Sequence, residues 1–281
     1  MSNADEIRFW NQRGGEQWRT HQHALDTLFR EITEEVLSLA AAGAGECAID
    51  VGCGNGDTTA ALAHHVGDAG TVHALDVSTS LLDDARARLA RAAITNVHLI
   101  EADAQVATLG LHADVVVSRF GVMFFSDPVA AFTNLRAHTC PGGRLAFAAW
   151  GEIEDNPWFA DPLEAAVAQL GAVPPRDPRK PGPTAFGDSD YIQRILAAAG
   201  WSDIAIVSRE VGLHVAGSAP TAAELASGLG PVSRVYREYP PTEVDRAAIV
   251  ERVRAAFEGG EHDAGTRVPA HIHFVSAVSA T

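Results

Sequence analysis

Apolar residues recur at three- and four-residue steps through Leu25, Leu28, Phe29, Ile32, Val36, Leu37 and Leu39, which predicts an amphipathic helix over 25–42, ended by Gly43 and Gly45. Short apolar runs then alternate with helical patterns. Strands are expected at Cys47–Val51, Thr71–Asp76, Val97–Glu101, Ala113–Ser118 and Arg144–Trp150, and helices at Thr58–Val66, Leu81–Ala92 and Pro128–His138. Val115-Val116-Val117 reads as a strand buried on both faces. Asp127-Pro128 opens a helix, and Pro141-Gly142-Gly143 is a turn. Such alternation predicts an α/β fold with a mostly parallel sheet and right-handed crossovers.

The flanks break the pattern. Residues 1–24 are polar, lack an apolar stripe, and carry Trp10 and Trp18. After Trp150, prolines from Pro157 to Pro183 mark a loop-rich excursion around one helix, Leu163–Leu170. A helix at Asp188–Ala199, a strand at Ile204–Val215, two helices within 220–258 separated by Pro240-Pro241, and a last strand at Ala270–Val278 follow. The chain is therefore expected to divide into an N-terminal helical lid (1–44), a Rossmann-like core (45–150), a loop-rich insertion (151–187), a core continuation (188–215), a substrate cap (216–267) and a final core strand (268–281).

Composition narrows the class. Apolar residues make up 47% of the 281, enough for a sizeable core, and only 20% are charged, which argues against disorder. The 36 acids against 21 bases leave a formal charge of -15, unlike a nucleic-acid-binding surface. Three scattered cysteines suggest no disulfide framework, and no apolar run reaches a membrane span or a signal-peptide core. The expectation is a soluble cytoplasmic protein. The pattern is compatible with a homodimer but does not fix the oligomeric state.

The strongest chemical signal is Ile49-Asp50-Val51-Gly52-Cys53-Gly54-Asn55-Gly56-Asp57, between the first strand and the next helix. Its glycines permit φ > 0 and let backbone approach a ligand, and the helix start offers free N–H groups. A dinucleotide fingerprint needs a third glycine where Asp57 stands. Asp57 alone reads as an ordinary N-cap. Asp50, Asp76 and Asp103 end three adjacent strands around one crevice, the position where open α/β sheets bind ligands. Asp76 suits ribose hydroxyls, and Asp103 an exocyclic amine.

These residues, with the Pro141-Gly142-Gly143 turn, resemble the class I S-adenosylmethionine-dependent methyltransferases over roughly 45–150. Ser118-Arg119-Phe120-Gly121-Val122-Met123-Phe124-Phe125 and the Trp10-Asn11, Gly15-Glu16, Trp18 arrangement are similar to the ubiquinone/menaquinone-type and natural-product, small-molecule branch. The resemblance implies a seven-stranded sheet whose last strand is antiparallel and inserted near the edge. It implies S-adenosylmethionine as cofactor, with Asp50, Gly52, Cys53 and Gly54 along its methionine part. Asp76 would lie at the ribose, Val77 and Ala104 against adenine, Asp103 at the adenine amine, and Ser118 where cofactor and acceptor meet. The Asn-Pro-Pro-Tyr type of motif found in amino-methylating enzymes of bases and glutamine is absent, so a small-molecule acceptor is expected.

A sulfonium methyl is already activated, so alignment and water exclusion outrank any fixed triad. Trp10 and Trp18 are candidate covers for the cofactor. Phe120, Trp150, Trp158, Tyr236 and Tyr239 are candidate acceptor contacts, each with core packing as its ordinary role. His21 and His23 are candidate bases, and Arg119 a candidate anion binder or the partner of a nearby acid. Twelve histidines form no ligand spacing, so no metal is expected. The rival readings are a NAD-type oxidoreductase, disfavoured by Asp50 and Asp57, and a non-catalytic cofactor-binding protein of the same fold.

Overall fold

The computed structural model describes residues 3–280, so Met1, Ser2 and Thr281, at the ends of the segments expected at 1–44 and 268–281, lie outside it. Strands β1 (Cys47–Val51), β2 (Thr71–Asp76), β3 (Val97–Glu101), β4 (Ala113–Arg119), β5 (Thr139–Trp150), β6 (Trp201–Val215), β7 (Glu261–His262) and β8 (Gly265–Ser279) form one sheet. Seven of them run in the order β3-β2-β1-β4-β5-β8-β6, and the two-residue β7 pairs with the start of β8. The first five pair in parallel, while β8 is antiparallel to both β5 and β6. The last strand is thus inserted beside the edge, as expected, with one short strand added.

The helices are α1 (Asn3–Trp10), α2 (Arg13–Thr20), α3 (Gln22–Leu28), α4 (Arg30–Ala40), α5 (Asp57–Val66), α6 (Thr79–Arg91), α7 (Pro128–Ala137), α8 (Pro157–Leu170), α9 (Ser189–Ala198), α10 (Ala219–Gly228), α11 (Val232–Glu238) and α12 (Glu243–Phe257). The stripe over 25–42 is interrupted only at Phe29, and Thr33 N–H still donates to Phe29 O at 2.9 Å. Caps follow local chemistry. Asp127 accepts from Ala130 N–H with Pro128 at the first turn, and Thr242 and Asp245 close a capping box.

Three expectations shift. The segment without an apolar stripe is helical over Asn3–Trp10 and Arg13–Thr20, because glycines bring the two helices together: a Cβ on Gly14 would stand 2.5 Å from the Phe9 ring, and one on Gly15 2.3 Å from Trp10 O. The helix expected at Leu163–Leu170 begins at Pro157, a residue suited to a first turn. The cap has three helices rather than two, since Gly230, at φ +78, parts α10 from α11 and sits against the Phe159 ring. Helices α8, α10, α11 and α12 pack together as one unit over the sheet.

The strand order reverses between β1 and β4, so their carboxyl ends splay and leave a crevice. Everything described next is built around it.

Candidate active site

A cavity of ≈1110 Å³ opens at this switch point, lined by the glycine loop, the ends of β2 and β4, the lid and the cap. Its size is at the upper end of small-molecule pockets, about 300–1,000 Å³. The floor is the loop after β1. Gly52, Gly54 and Gly56 take φ +69, +54 and +81, and Gly52 and Cys53 N–H both donate to Leu75 O. A Cβ on Gly52 would lie 2.7 Å from Gly121 Cα, so the two loops touch backbone to backbone. Ser118 fixes that contact: it is fully buried, donates to Val51 O at 2.8 Å and accepts from Gly121 N–H at 3.1 Å. It does not line the cavity, which corrects its expected place where cofactor and acceptor meet.

Asp76 clasps two loops. One carboxylate oxygen accepts from Gly54 N–H and the other from Ser78 N–H, each at 2.8 Å. Burial pushes its carboxyl up, while those backbone donors oppose the rise. Each oxygen keeps a second lone pair, and the carboxylate borders the cavity. Val77, Asp103 and Ala104 border it too, and Asp103 accepts from Gln105 N–H at 3.0 Å. Asn55 also lines this wall, and its amide nitrogen is buried without a partner.

Asp50 departs from its expected place along the methionine part. It is 1% exposed, lies behind the loop, and accepts from the Thr59 hydroxyl at 2.6 Å. Burial pushes its carboxyl up to about 6, with Asp76 and Asp57 adding to the rise and Thr59 and Arg119 opposing it. The folded state therefore holds this proton more tightly than an ordinary Asp of about 3.9. Its contribution is most favourable below about pH 4, is lost as pH rises through 6, and is flat above that. A rise of roughly two units corresponds to about 3 kcal/mol. Asp50→Asn keeps the oxygen that Thr59 donates to, so it should gain stability relative to the parent between pH 4 and 7.5. Melting temperatures across that range read the difference; a constant offset would mean that Asp50 does not titrate there.

Arg119 is an ion-pair partner rather than a free anion binder. Its guanidinium donates to Asp57 at 2.8 Å and Thr33 Oγ1 at 2.7 Å, stands over the Phe29 ring, and has a side chain only 6% exposed. Asp57 is correspondingly the first helical residue and holds Arg119 and Arg88, while Gly56 takes the cap.

An aromatic roof crosses the cavity from lid to cap. Trp10 meets Trp18 and Phe124 edge-on, and Trp18 stacks on Phe29. Phe120 stacks on Trp150 at 5.0 Å, and Trp150 contacts Phe159 at 4.4 Å. Phe120 holds φ +68, a conformation bulky residues rarely adopt, at the end of β4. Trp18 Nε1 lies 3.7 Å from where a Gly54 Cβ would be, so the lid covers the glycine loop. The lid is pinned by Asn11, which donates to Val77 O at 2.6 Å and accepts from Thr79 N–H, and by Ser78, whose hydroxyl donates to Trp10 O.

Other expected contacts lie elsewhere. His21 and His23 do not reach the cavity; His23 lines a second, polar depression with Asp26 and Arg88, because α3 turns that side outward. Tyr236 and Tyr239 are one helical step off: Ser233, Arg234 and Arg237 of α11 face the cavity instead. Tyr236 is buried under Arg246, and Tyr239 donates to Ala172 O. Trp150 and Trp158 do line the cavity, as do Glu6 and Glu152, whose carboxyls burial pushes up. Among the described residues no three His, Cys, Asp or Glu groups are placed to hold a metal.

Residues 48–143 match a methyltransferase domain family. The chain is 29% identical to aklanonic acid methyltransferase DauC of Streptomyces sp. (strain C5) over 43% of this chain and 55% of that protein. It is 32% identical to the ubiquinone/menaquinone biosynthesis C-methyltransferase UbiE of Shewanella frigidimarina over 39% and 44% respectively. The chain thus spans about half the length of these curated relatives. Among solved structures it is similar to phosphoethanolamine N-methyltransferase 2 of Haemonchus contortus (TM-score 0.59, 15% identity, 100% of this chain and 60% of that one). It is also similar to the [4+2]-cyclase SpnF (TM-score 0.55, 17% identity, 89% and 81%). At these identities the structural likenesses show the fold.

Proposed function

With residues 48–143 a methyltransferase domain of the class I kind, we propose that the whole chain transfers a methyl group from S-adenosylmethionine to a small-molecule acceptor. The single observation that carries this is the Asp76 clasp beside the unpartnered Asn55 amide, on a wall of backbone that only glycine allows. Those groups fit the cofactor: Asp76 for the ribose diol, the Asn55 amide for a polar atom, Asp103 and Ala104 for adenine. The bound cofactor supplies an electrophilic methyl on a positively charged sulfur, which keeps the electron pair of the broken bond. The protein's part is to orient and to exclude water. The roof of Trp10, Trp18, Phe120 and Trp150 does both, and residues 3–40 act as its lid. A base is needed only for an acceptor that must lose a proton, and Glu152, a carboxylate bordering the cavity, is the candidate in place of His21 and His23, which do not reach it.

The nicotinamide alternative is not favoured by the methyltransferase domain. A cyclase on this same fold makes turnover the deciding measurement. Calorimetry should show S-adenosylhomocysteine binding at roughly micromolar Kd, about -8 kcal/mol, with radiolabelled methyl appearing on an added phenolic or quinol acceptor. Hydrogen exchange should slow in 3–24 on binding. Binding without label transfer to any acceptor would favour the non-transferring reading; no binding would remove the cofactor assignment.

A further inference from the structure

We propose that the acceptor carries a carboxylate that anchors it on Arg176, Arg234 and Arg237 of the cavity wall. The inference rests on the methyltransferase reading and names its substrate class.

The cavity carries charge of both signs, and Glu6, Glu152 and Glu154 border it as well as the strand-end acids. Acids from the strand ends, Asp76 and Asp103, face the cofactor side. The opposite wall, built by the proline-rich insertion and α11, presents Arg176, Arg234, Arg237 and Lys180, the chain's single lysine. Many arginines elsewhere among the described residues pair with acids, as in Arg19–Asp84, Arg144–Glu46 and Arg254–Glu251, although Arg13, Arg30, Arg91, Arg136, Arg246 and Arg252 do not. Among the described residues none of the four cavity cations has such a partner, in a chain with 36 acids against 21 bases. A shortage of carboxylates therefore does not explain the gap.

Nor are these side chains left to wander. Arg234 donates to Pro174 O at 3.0 Å, and Arg176 donates to Pro181 O and packs against Gly182. One donor of each guanidinium is fixed on backbone, which orients the planar fork and leaves its other N–H groups free. Burial pulls the Arg176 guanidinium down, and the repulsion of Arg234 and Arg237 adds to this, while Glu6 on the lid opposes it. An incoming carboxylate relieves that crowding with paired N–H···O bonds, the geometry a guanidinium fork is built for.

Between the two charged ends lie Phe124, Trp158 and Phe159. They suit a flat apolar body that spans from the arginine wall to the roof over the glycine loop.

The test uses the full chain loaded with S-adenosylhomocysteine and one-, two- and three-ring aromatic carboxylates, benzoate, 1-hydroxy-2-naphthoate and anthraquinone-2-carboxylate, each against its neutral methyl ester. At least one acid should bind about tenfold or more tightly than its ester, the range of a charge-assisted hydrogen bond, and should weaken with added salt. Arg234→Gln and, separately, the exposed Arg237→Gln should narrow that preference while S-adenosylhomocysteine affinity stays at the parent value. Absence of any acid preference, including absence of binding by every probe, overturns the proposal while leaving the cofactor reading intact. Loss of S-adenosylhomocysteine affinity in Arg234→Gln with acid preference retained would assign the wall to the cofactor and also overturn it. Failure of the parent protein to bind S-adenosylhomocysteine would strike the methyltransferase reading first.

Discussion

Asp76→Ala is expected to weaken S-adenosylhomocysteine binding by about 10- to 150-fold, the 1.5–3 kcal/mol of hydrogen bonds to a charged acceptor. The carboxylate does two things at once, so the variant needs a companion. It accepts from Gly54 and Ser78 N–H, which holds the loop after β1 against the loop after β2, and it borders the cavity. Alanine removes the ligand contact and strips both backbone donors. Asp76→Asn keeps one acceptor oxygen, so it should restore part of the loop clasp but not the charged contact. The expected order of affinity is parent, then Asn, then Ala, with the melting temperature of the unliganded Asn variant closer to the parent than that of the Ala variant. Calorimetry and melting curves on the three proteins check this. Parent affinity in Asp76→Ala would show that the carboxylate serves only the loops.

The core was legible in the chain because its signals are local. Val115, Val116 and Val117 are buried on both faces in β4, and the glycines at 52, 54 and 56 all take left-handed conformations. The alternation of apolar residues marks the last strand only from Ala270, while β8 begins at Gly265 and runs through Pro269. Strand β8 contacts β5 only from Ile272 onward, so at Pro269 one side of the strand is open and a missing N–H costs nothing there. Within the helical lid, the first two helices carry no apolar stripe to mark their bounds, since Gly14 and Gly15 are poor helix formers and their value lies in contacts with Phe9 and Trp10. Side-chain direction on α11 was also out of reach. Tyr236 and Tyr239 carry the aromatic signal, yet α11 lines the cavity with Arg234 and the exposed Arg237, a choice made by packing against α8. Arg119 and Asp57 could each be read alone, but only the fold brings them within 2.8 Å. Gly121 drew no attention beyond its place in a motif-like stretch, because its role depends on a loop some seventy residues earlier.

That contact yields the sharpest steric expectation. Gly121→Ala adds one methyl group at a residue whose φ of −74 and ψ of −37 suit any side chain, so backbone strain plays no part. The new Cβ would stand 2.5 Å from Val51 O and 2.9 Å from Gly52 Cα. Both neighbours are backbone and have no rotamer to move to, and Val51 O is already held by the Ser118 hydroxyl. The turn after β4 must therefore move off the loop after β1, at a cost of about 1–3 kcal/mol as for other overpacked sites. Separation at this point shifts Gly52 and Gly54 away from Asp76, so S-adenosylhomocysteine affinity should fall more than about tenfold even in the fraction that stays folded. Gly228→Ala in α10 is the matched control: a Cβ there meets nothing within 4 Å, and removal of a helical glycine should be neutral or stabilising by up to about 1 kcal/mol. Melting curves and calorimetry on both variants separate the cases. Parent-like stability and affinity in Gly121→Ala would mean that the two loops do not meet at the crevice, and the geometry on which the cofactor site rests would fall with that contact.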